Sequence, residues 1–443
     1  MEHRACLGWT IAACALIGGI CVGPIRLGAE IKPGDVLNQS NWQEAKGMMP
    51  DAVLRRFDLG QHLSKVIEIP PDALRWSTRY NAATEANQGT YEITDQGIMI
   101  EKATGTWPRF GYGMPFVQID PQDPKAPYKI MYNFFRTLVQ WDDINVLVNF
   151  FWTTPTGLDR YVDFRGQAIS YGSRWSGPIP NSDEVGAKVL IYGVAPYDVV
   201  GLATVDWNYL DPERWRSVWS YVPVIRRVRR LNSADSSNGV FGSHISRDDF
   251  GTFAGRIHYF DWKLIGMKDA LVPYTLPVPK TWEPTDSQGF VLPANENAAI
   301  MPWPGQSKLY NQSGQQWTGA AWWPTNLYMT KRPVWILELT PKDPYYAYGR
   351  QILWVDKELF FGYYKEIYDR AGEYWKTIIR GGGIALNKEK TFSTTQTDFL
   401  MALDERTNMA TVTLPLREGN DIKVNVGLDP QLFNYQGLSR FGK

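Results

Sequence analysis

The sequence predicts a mainly β protein of the α+β class, built around one large antiparallel sheet. Aromatic residues make up 14% of the chain, with 19 tryptophans and 23 tyrosines, and these residue types are enriched in strands. Short runs of Trp, Tyr, Val and Ile are separated by turns rich in Pro, Gly, Asn and Asp, as in a meandering sheet. A chain of 443 residues is long enough to bury a large core, as one β domain or two smaller ones.

The N-terminus has the pattern of an export signal. His3 and Arg4 form a short positive region, residues 5–23 carry no charge, and a cleavage site precedes Glu30. We therefore expect a signal peptide over residues 1–29 and a single domain over residues 30–443. Two alternatives stay open: the uncharged run is long enough to remain as a membrane anchor, and Cys14 ends a sequence that resembles a lipoprotein box.

Composition excludes several classes of function. All three cysteines, Cys6, Cys14 and Cys21, lie in the leader, so the exported chain would have neither disulfides nor thiol chemistry. Removing Glu2, Arg4 and Arg26 leaves 44 basic and 45 acidic residues from the original 46 of each, without the basic excess that nucleic-acid binding requires. The remaining histidines are not at metal-ligand spacing, so no metal or other cofactor is expected.

The elements can be predicted in order along the chain. Residues 89–100 alternate as a hairpin does, and residues 128–141 carry the clearest helical period of apolar residues. Residues 154–157, Thr-Pro-Thr-Gly, form a hairpin turn between strands at 144–153 and 158–171. Further strands are predicted at residues 189–194, 199–208, 335–340, 350–355, 359–369, 374–380 and 411–416.

The stretch 215–275 is the centre of the predicted sheet. Its two ends are rich in Trp, Tyr, Val and Ile, and a polar loop divides them, so we expect strand, ordered loop and strand. The segment 277–325 is dense in Pro, Gly, Asn and Trp. Ordered loops of this length are uncommon unless they are functional, and we expect this inserted loop to cover one face or one mouth of the sheet.

Candidate catalytic groups are few, and each is better explained by structure. Ser243 and His244 stand beside Asp248 and Asp249, but neighbours on one turn rarely align as nucleophile, base and orienter; a hydrogen-bonded turn is expected instead. Asp142-Asp143 and Asp248-Asp249 are interpreted as solvated acids that end an element, because neighbours on a strand point to opposite faces. Three consecutive glycines, residues 381–383, are expected to form a turn. We predict that the protein is not an enzyme.

Four arginines form the sharpest run of charge. Alternation places Arg226 and Arg230 on one face of a strand and Arg227 and Arg229 on the other, so one pair should face inward or lie at a strand end. These side chains suit an anionic headgroup or an acidic partner. The alternative is salt bridging to Asp235, Asp248 or Asp249 across the loop.

Aromatic residues are more numerous than one core requires, so some are candidate ligand-binding residues. Core packing explains any one of them, but a sheet curled around an apolar cavity would use them as lining. The candidate ligand-binding residues are Trp219, Tyr221, Phe241, Tyr259, Trp262, Trp335 and Trp354.

The order of short motifs resembles outer-membrane-lipoprotein-sorting-like proteins, which share the fold of the LolA and LolB carriers. The residues that carry the resemblance are Trp219, Tyr221 and Pro223, the arginines Arg226 to Arg230, Ser243, Ser246, Asp248 and Asp249, and later Trp335, Glu338, Trp354, Glu358, Tyr368, Asp369 and Gly372. His244 stands where an acidic residue is expected. The whole chain is identified as a member of the family numbered 1329 among domains of unknown function.

The resemblance implies a curved antiparallel sheet that forms a half-open barrel, with a few helices on its concave side. It also implies a non-enzymatic periplasmic carrier, or accessory protein, for a lipid or other hydrophobic molecule such as a lipoprotein acyl chain. The same resemblance implies that the protein transports its ligand toward the outer membrane. Its partners would be an inner-membrane RND-type permease and an outer-membrane protein. The alternatives are a Trp-rich protein that binds or cleaves carbohydrate, and a structural subunit of an envelope export complex.

Overall fold

A computed structural model describes residues 31–231, 235–275, 280–286, 289–293, 320, 323, 327–415 and 421–442. The predicted leader and most of the predicted inserted loop lie outside these ranges. Residues 31–443 cluster as one compact unit.

The described residues form three α-helices and twenty strands, joined by turns and short 3₁₀ segments. The helices are α1 Asp51–Asp58, α2 Thr78–Ala86 and α3 Ala126–Leu138. The strands are β1 Val36–Leu37, β2 Ser64–Ile67, β3 Tyr91–Ile93, β4 Met99–Glu101, β5 Asp143–Thr154, β6 Gly157–Ser170, β7 Val185–Ala195, β8 Ala203–Tyr209, β9 Ser217–Val222, β10 Arg227–Leu231, β11 Phe260–Tyr274, β12 Lys280–Pro284, β13 Phe290–Leu292, β14 Tyr328–Pro341, β15 Gln351–Asp356, β16 Gly362–Tyr368, β17 Tyr374–Asn387, β18 Ser393–Asp404, β19 Met409–Leu414 and β20 Ile422–Val424.

The long strands form one continuous antiparallel run. Its order is β10-β9-β8-β7-β6-β5-β19-β18-β17-β16-β15-β14-β11. In the described part of the chain, β10 pairs only with β9 and β11 only with β14, so the run stays open at both edges. The predicted large antiparallel sheet with few helices is confirmed.

Two local meanders build this run and meet at a single seam. Strands β5 to β10 follow one another along the chain, as do β14 to β19, and β5 pairs with β19 between them. Smaller strands extend the sheet: β2 lies parallel to β14, and β12, β13 and β20 connect the end of β17 to the start of β5.

Strands β15 to β17 are covered on both faces. Every residue of β15 is buried. Adjacent strand residues point to opposite faces: Lys365 contacts Asp249 of the loop before β11, whereas Glu366 lies near Asp51 of α1. Helix α1 therefore packs on one face of the sheet and the loop on the other.

That loop, residues 236–259, links the two open edges, and we call it the strap. It crosses one face of the sheet, because the indole N–H of Trp152 in β5 donates to the Gly242 carbonyl at 3.1 Å and Arg380 in β17 donates to the Gly251 carbonyl at 3.1 Å. Phe253 of the strap is fully buried and packs edge-to-face on Phe135 of α3. The strap and α3 therefore share one face of the sheet.

Most predicted elements are present, with three corrections. Helix α3 and the hairpin turn between β5 and β6 lie where they were expected.

The three glycines do not form a turn; they lie inside β17, at a bulge between Gly381 and Gly382. A Cβ on Gly382 would lie 2.1 Å from the Gln396 carbonyl oxygen of the next strand. The glycines are needed for close strand approach. The stretch 215–275 holds three strands rather than two, because residues 223–226 turn β9 back into β10. It also lies at the edges of the run rather than at its centre, because β10 and β11 are the two edge strands.

Candidate functional site

A pocket of about 290 Å³ opens where the strap meets β11 and the loop after β14. Eight of its twelve lining residues come from the stretch 215–275, and the other four come from the end of β14 and the loop that follows it. Its lining residues are Trp215, Arg216, Ser236, Asp248, Arg256, His258, Tyr259, Phe260, Pro341, Lys342, Asp343 and Tyr346.

Asp248 is the buried acid of this pocket, and its carboxylate is fully engaged. It accepts from Arg216 at 2.6 Å, from the Ser236 hydroxyl at 2.7 Å and from the Tyr346 hydroxyl at 3.0 Å. Burial, followed by the nearby Asp248 and Asp249 charges, raises the pKa of Tyr346, so this phenol stays a donor. The three donors hold Asp248 in place and leave it poorly suited to act as a base.

His258 contributes an uncommitted nitrogen to the pocket wall. Its ring bonds to the Pro212 carbonyl, while Nε2 is buried and has no hydrogen-bond partner among the residues that the structure describes. Burial, with the Arg256 charge next, lowers the pKa of His258 to about 4, so the ring is neutral at neutral pH. A neutral ring that donates through one nitrogen leaves the other as an acceptor; here that acceptor is buried behind the pocket wall.

The remaining lining combines flat aromatic surface with positive charge. Trp215 is 46% exposed and packs against Tyr259 at 4.7 Å between ring centroids. Arg256 is fixed by the carbonyls of residues 211, 212 and 214, and Lys342 donates to the His258 carbonyl at 3.0 Å. Among the lining residues, Arg216, Arg256 and Lys342 outnumber Asp248 and Asp343 by one charge, and Lys342 also pairs with Asp261 at 3.6 Å. Such a lining suits an apolar group that carries a negative head.

The structure distributes the predicted ligand-binding aromatics over separate packing clusters. Trp219 and Tyr221 lie under the C-terminal segment, where the Tyr435 ring stacks on Trp219 at 4.6 Å. Phe241 stacks on Phe164 at 4.4 Å. The other four belong to the main core, where Trp262, Trp335 and Trp354 are at most 7% exposed. Of the seven predicted residues, only Tyr259 lines the pocket.

The arginine run lies on the surface rather than facing inward. Arg226 is in the turn before β10 with φ +50°, and Arg227, Arg229 and Arg230 are exposed on the edge strand. Arg230 lies opposite Trp219 and donates to the Ser217 hydroxyl, whereas Arg227 and Arg229 point to the other face. The alternative salt bridges to Asp248 and Asp249 are not formed, because these acids pair with Arg216 and Lys365.

The paired acids are buried, which corrects the interpretation that they are solvated. The Ser246 N–H donates to the Asp249 carboxylate at 2.9 Å and the Asp249 N–H donates to the Ser246 carbonyl at 3.1 Å, so the predicted hydrogen-bonded turn is present. Asp142 accepts from the Ser176 N–H, and Asp143 accepts from three backbone N–H groups at residues 426–428. These acids are structural: they anchor distant segments of backbone.

Sequence reasoning missed most of the pocket because its residues are distant along the chain. Arg216, Arg256, Lys342 and Tyr346 come from three separate loops. Trp215 and Tyr259 are part of the aromatic-rich stretch, and Asp248 belongs to the turn that the sequence analysis singled out; these were the sequence signals that pointed to the site.

Several solved structures are similar to this chain. A candidate outer membrane lipoprotein-sorting protein domain from Vibrio parahaemolyticus is 16% identical, with a TM-score of 0.47, over 72% of this chain and 100% of that one. A DUF1329 family protein from Desulfovibrio piger is 17% identical, with a TM-score of 0.45, over 72% and 99%. A LolA superfamily protein from Nitrosomonas europaea is 15% identical, with a TM-score of 0.38, over 70% and 97%.

No curated protein matches the chain. Among the described residues, no helix has the length and apolar content needed to cross a membrane. A family model matches residues 36–433, and it is the model described as protein of unknown function, DUF1329. The resemblance drawn from the motifs is therefore confirmed, and the chain belongs to the DUF1329 family.

Proposed function

We propose that this protein is a non-catalytic carrier of an amphiphile, a lipid or similar hydrophobic molecule with an anionic head. The observation that carries the proposal is the pocket beside Trp215, which joins aromatic walls to Arg216, Arg256 and Lys342. Arginine suits carboxylate and phosphate groups, and aromatic rings bury apolar surface.

The size of the pocket limits what it would hold. Ligand pockets are commonly about 300–1,000 Å³, so 290 Å³ fits a headgroup and the first carbons of a chain rather than a whole lipid. The rest of the ligand's acyl chain would lie over the exposed face of Trp215. Each Å² of apolar surface removed from water favours binding by roughly 25 cal/mol.

The wider biological setting is part of the same proposal. An exported protein of this kind would take its ligand in the periplasm from an inner-membrane RND-type permease and pass it toward the outer membrane. Transfer would be passive, because a ligand moves only when the next site binds it better. Of the deeply buried candidates, Trp262 and Trp335 would contact ligand only if the strap moved away from the sheet. Trp354 donates to Glu366 on the face that α1 covers, so movement of the strap would not expose it.

The test begins with native mass spectrometry of protein from a periplasmic fraction, followed by solvent extraction and lipid analysis. We expect a stoichiometric anionic amphiphile. Binding of a fluorescent fatty acid is then compared between wild type and two variants, Trp215→Ala and Tyr345→Ala. Tyr345 is 93% exposed and does not line the pocket.

Loss of at least tenfold in affinity for Trp215→Ala alone would support the pocket as the site. An apo mass together with no fatty-acid binding would refute the carrier function. If the pocket bound neutral oligosaccharides instead, the carbohydrate-binding alternative would replace it.

A further inference from the structure

Two turns protrude together at one end of the sheet. The turn between β7 and β8 contains Tyr197 and Val200, and the turn between β9 and β10 contains Pro223, Val224 and Ile225. A Cβ on Gly201 of the first turn would lie 3.1 Å from the Pro223 side chain, so the two turns are in contact. We call these five residues the apolar tip.

The apolar tip exposes more hydrophobic surface than turns of this length need. Tyr197 and Val224 are each 93% exposed, and Val200 and Ile225 are about 40% exposed. Polar residues usually occupy turns of this kind, since Gly, Asn, Asp and Ser favour them for conformational reasons. A contiguous exposed apolar patch commonly marks an interaction site.

Positive charge lies directly beside this apolar surface. Arg226 follows Ile225, and Arg227, Arg229 and Arg230 continue along the edge strand, all of them exposed. Asp198 is the acid on the first turn, so four positive charges stand against one negative charge. The combination of protruding aromatic and aliphatic side chains with flanking arginines is that of membrane-surface anchors.

Protection of the sheet edge explains only part of this arrangement. Charged residues on an edge strand prevent pairing with another chain, and this accounts for Arg227 and Arg229. It does not account for Tyr197 and Val224, because exposed apolar side chains beside an open edge would promote association. Binding to a membrane surface would explain both the exposed apolar side chains and the flanking arginines.

We propose that the apolar tip docks the protein on an anionic phospholipid surface. Tyr197 and Val224 enter the boundary between headgroups and acyl chains, and Arg226, Arg227 and Arg229 bind lipid phosphates. This docking is separate from the pocket, so each can fail without the other.

The experiment uses residues 31–443, the compact unit that contains every described element and excludes the apolar leader. This chain has no cysteine, so Val224→Cys accepts a single environment-sensitive fluorophore. Tyr345→Cys, at another site that is 93% exposed, is the matched control. Vesicles contain either phosphatidylcholine alone or phosphatidylcholine with roughly 30% phosphatidylglycerol, an anionic lipid that gives the bilayer a negative surface potential.

We expect blue-shifted emission from position 224, and not from position 345, only with the anionic vesicles. Each arginine near such a surface is worth about fivefold in affinity. The Arg226→Gln/Arg227→Gln double variant should therefore bind about 25-fold more weakly, and high salt should weaken the wild type. Tyr197→Ser should also reduce binding, whereas Tyr345→Ser should not.

Three outcomes would overturn the proposal. They are absence of vesicle binding, equal binding to both vesicle types without a spectral change at position 224, and wild-type binding by the arginine and tyrosine variants. If the protein did not bind anionic vesicles but Tyr197→Ser abolished its self-association in solution, the apolar tip would be a contact between copies of the chain. Circular dichroism of each variant confirms that it is folded.

Discussion

The ion pair between Asp249 of the strap and Lys365 of β16 provides the sharpest test of how the strap is held. Both side chains are completely buried, and their charged atoms lie 2.9 Å apart. The Asp249 carboxylate also accepts from the Tyr348 hydroxyl at 2.8 Å and from the Ser246 N–H at 2.9 Å. Replacing Asp249 by Ala removes all of these acceptors while Lys365 stays in place.

The expected loss follows from the cost of an unpaired buried charge. Removing one partner of a buried pair costs about 3–5 kcal/mol, whereas an exposed pair is worth about 0–1 kcal/mol. The chain offers a matched exposed pair in Asp269 and Lys331, which are 59% and 45% exposed and 3.5 Å apart. Asp249→Ala should lower the free energy of unfolding several times more than Asp269→Ala.

Urea denaturation followed by tryptophan fluorescence measures both losses. Replacing both buried partners, as in Asp249→Leu with Lys365→Met, should restore part of the stability because no charge is left unpaired. A loss below about 1 kcal/mol for Asp249→Ala would refute this reasoning, because it would mean that water reaches Lys365 in the folded state.

The same pair predicts a pH dependence of stability. Burial raises the pKa of Asp249, but the Lys365 and Lys376 charges and its hydrogen bonds outweigh burial and bring the pKa below 3.8. A lowered pKa contributes stability that is present above the unfolded-state value and is lost as the pH falls below it. Wild type should therefore lose stability below about pH 4 more steeply than Asp249→Asn, measured by denaturation at several pH values; equal slopes would contradict this.

Three further predictions follow from particular residues. Gly382→Ala should lower the free energy of unfolding by about 1–3 kcal/mol or more through backbone strain, because φ is +147° and a carbonyl oxygen of the next strand lies 2.1 Å from the new Cβ. The control, Gly266→Ala, has open space around the new Cβ and should be nearly neutral in the same denaturation assay. His258 should show an NMR titration midpoint near pH 4; a midpoint near 6.5 would mean that its site is open to water. Phe253→Ala should lower stability by about 3–5 kcal/mol, since the ring is buried, and a small loss by calorimetry would show that the strap is loosely packed.

Local signals in the sequence predicted the elements well. The turn at residues 154–157 and helix α3 depend on turn chemistry and apolar period, which neighbouring residues determine. Strand β18 was missed because its first half, Ser-Thr-Thr-Gln-Thr-Asp, is polar. Its residues are nevertheless mostly buried, since strands and helices cover it. Burial of this kind is a tertiary property that period alone does not reveal.

The candidate site was less accessible from the sequence, for a physical reason. Asp143 is buried because backbone donors more than 280 residues away reach it, and Asp248 is buried because Arg216 and Tyr346 converge on it. Pairings at this separation leave no local pattern. The glycines at 381–383 have the composition of a turn, and only the adjacent strand explains why they lie inside one.

The seam between β5 and β19 has a consequence for how the chain folds. It pairs residues 149–153 with residues 410–414, so the first meander keeps an unpaired edge until nearly the whole chain has been synthesised. Contacts at such sequence separation slow folding. A strand edge that is still unpaired promotes aggregation until its partner strand has formed. We expect truncations that remove β19 to aggregate, and we expect refolding to be limited by closure of this seam.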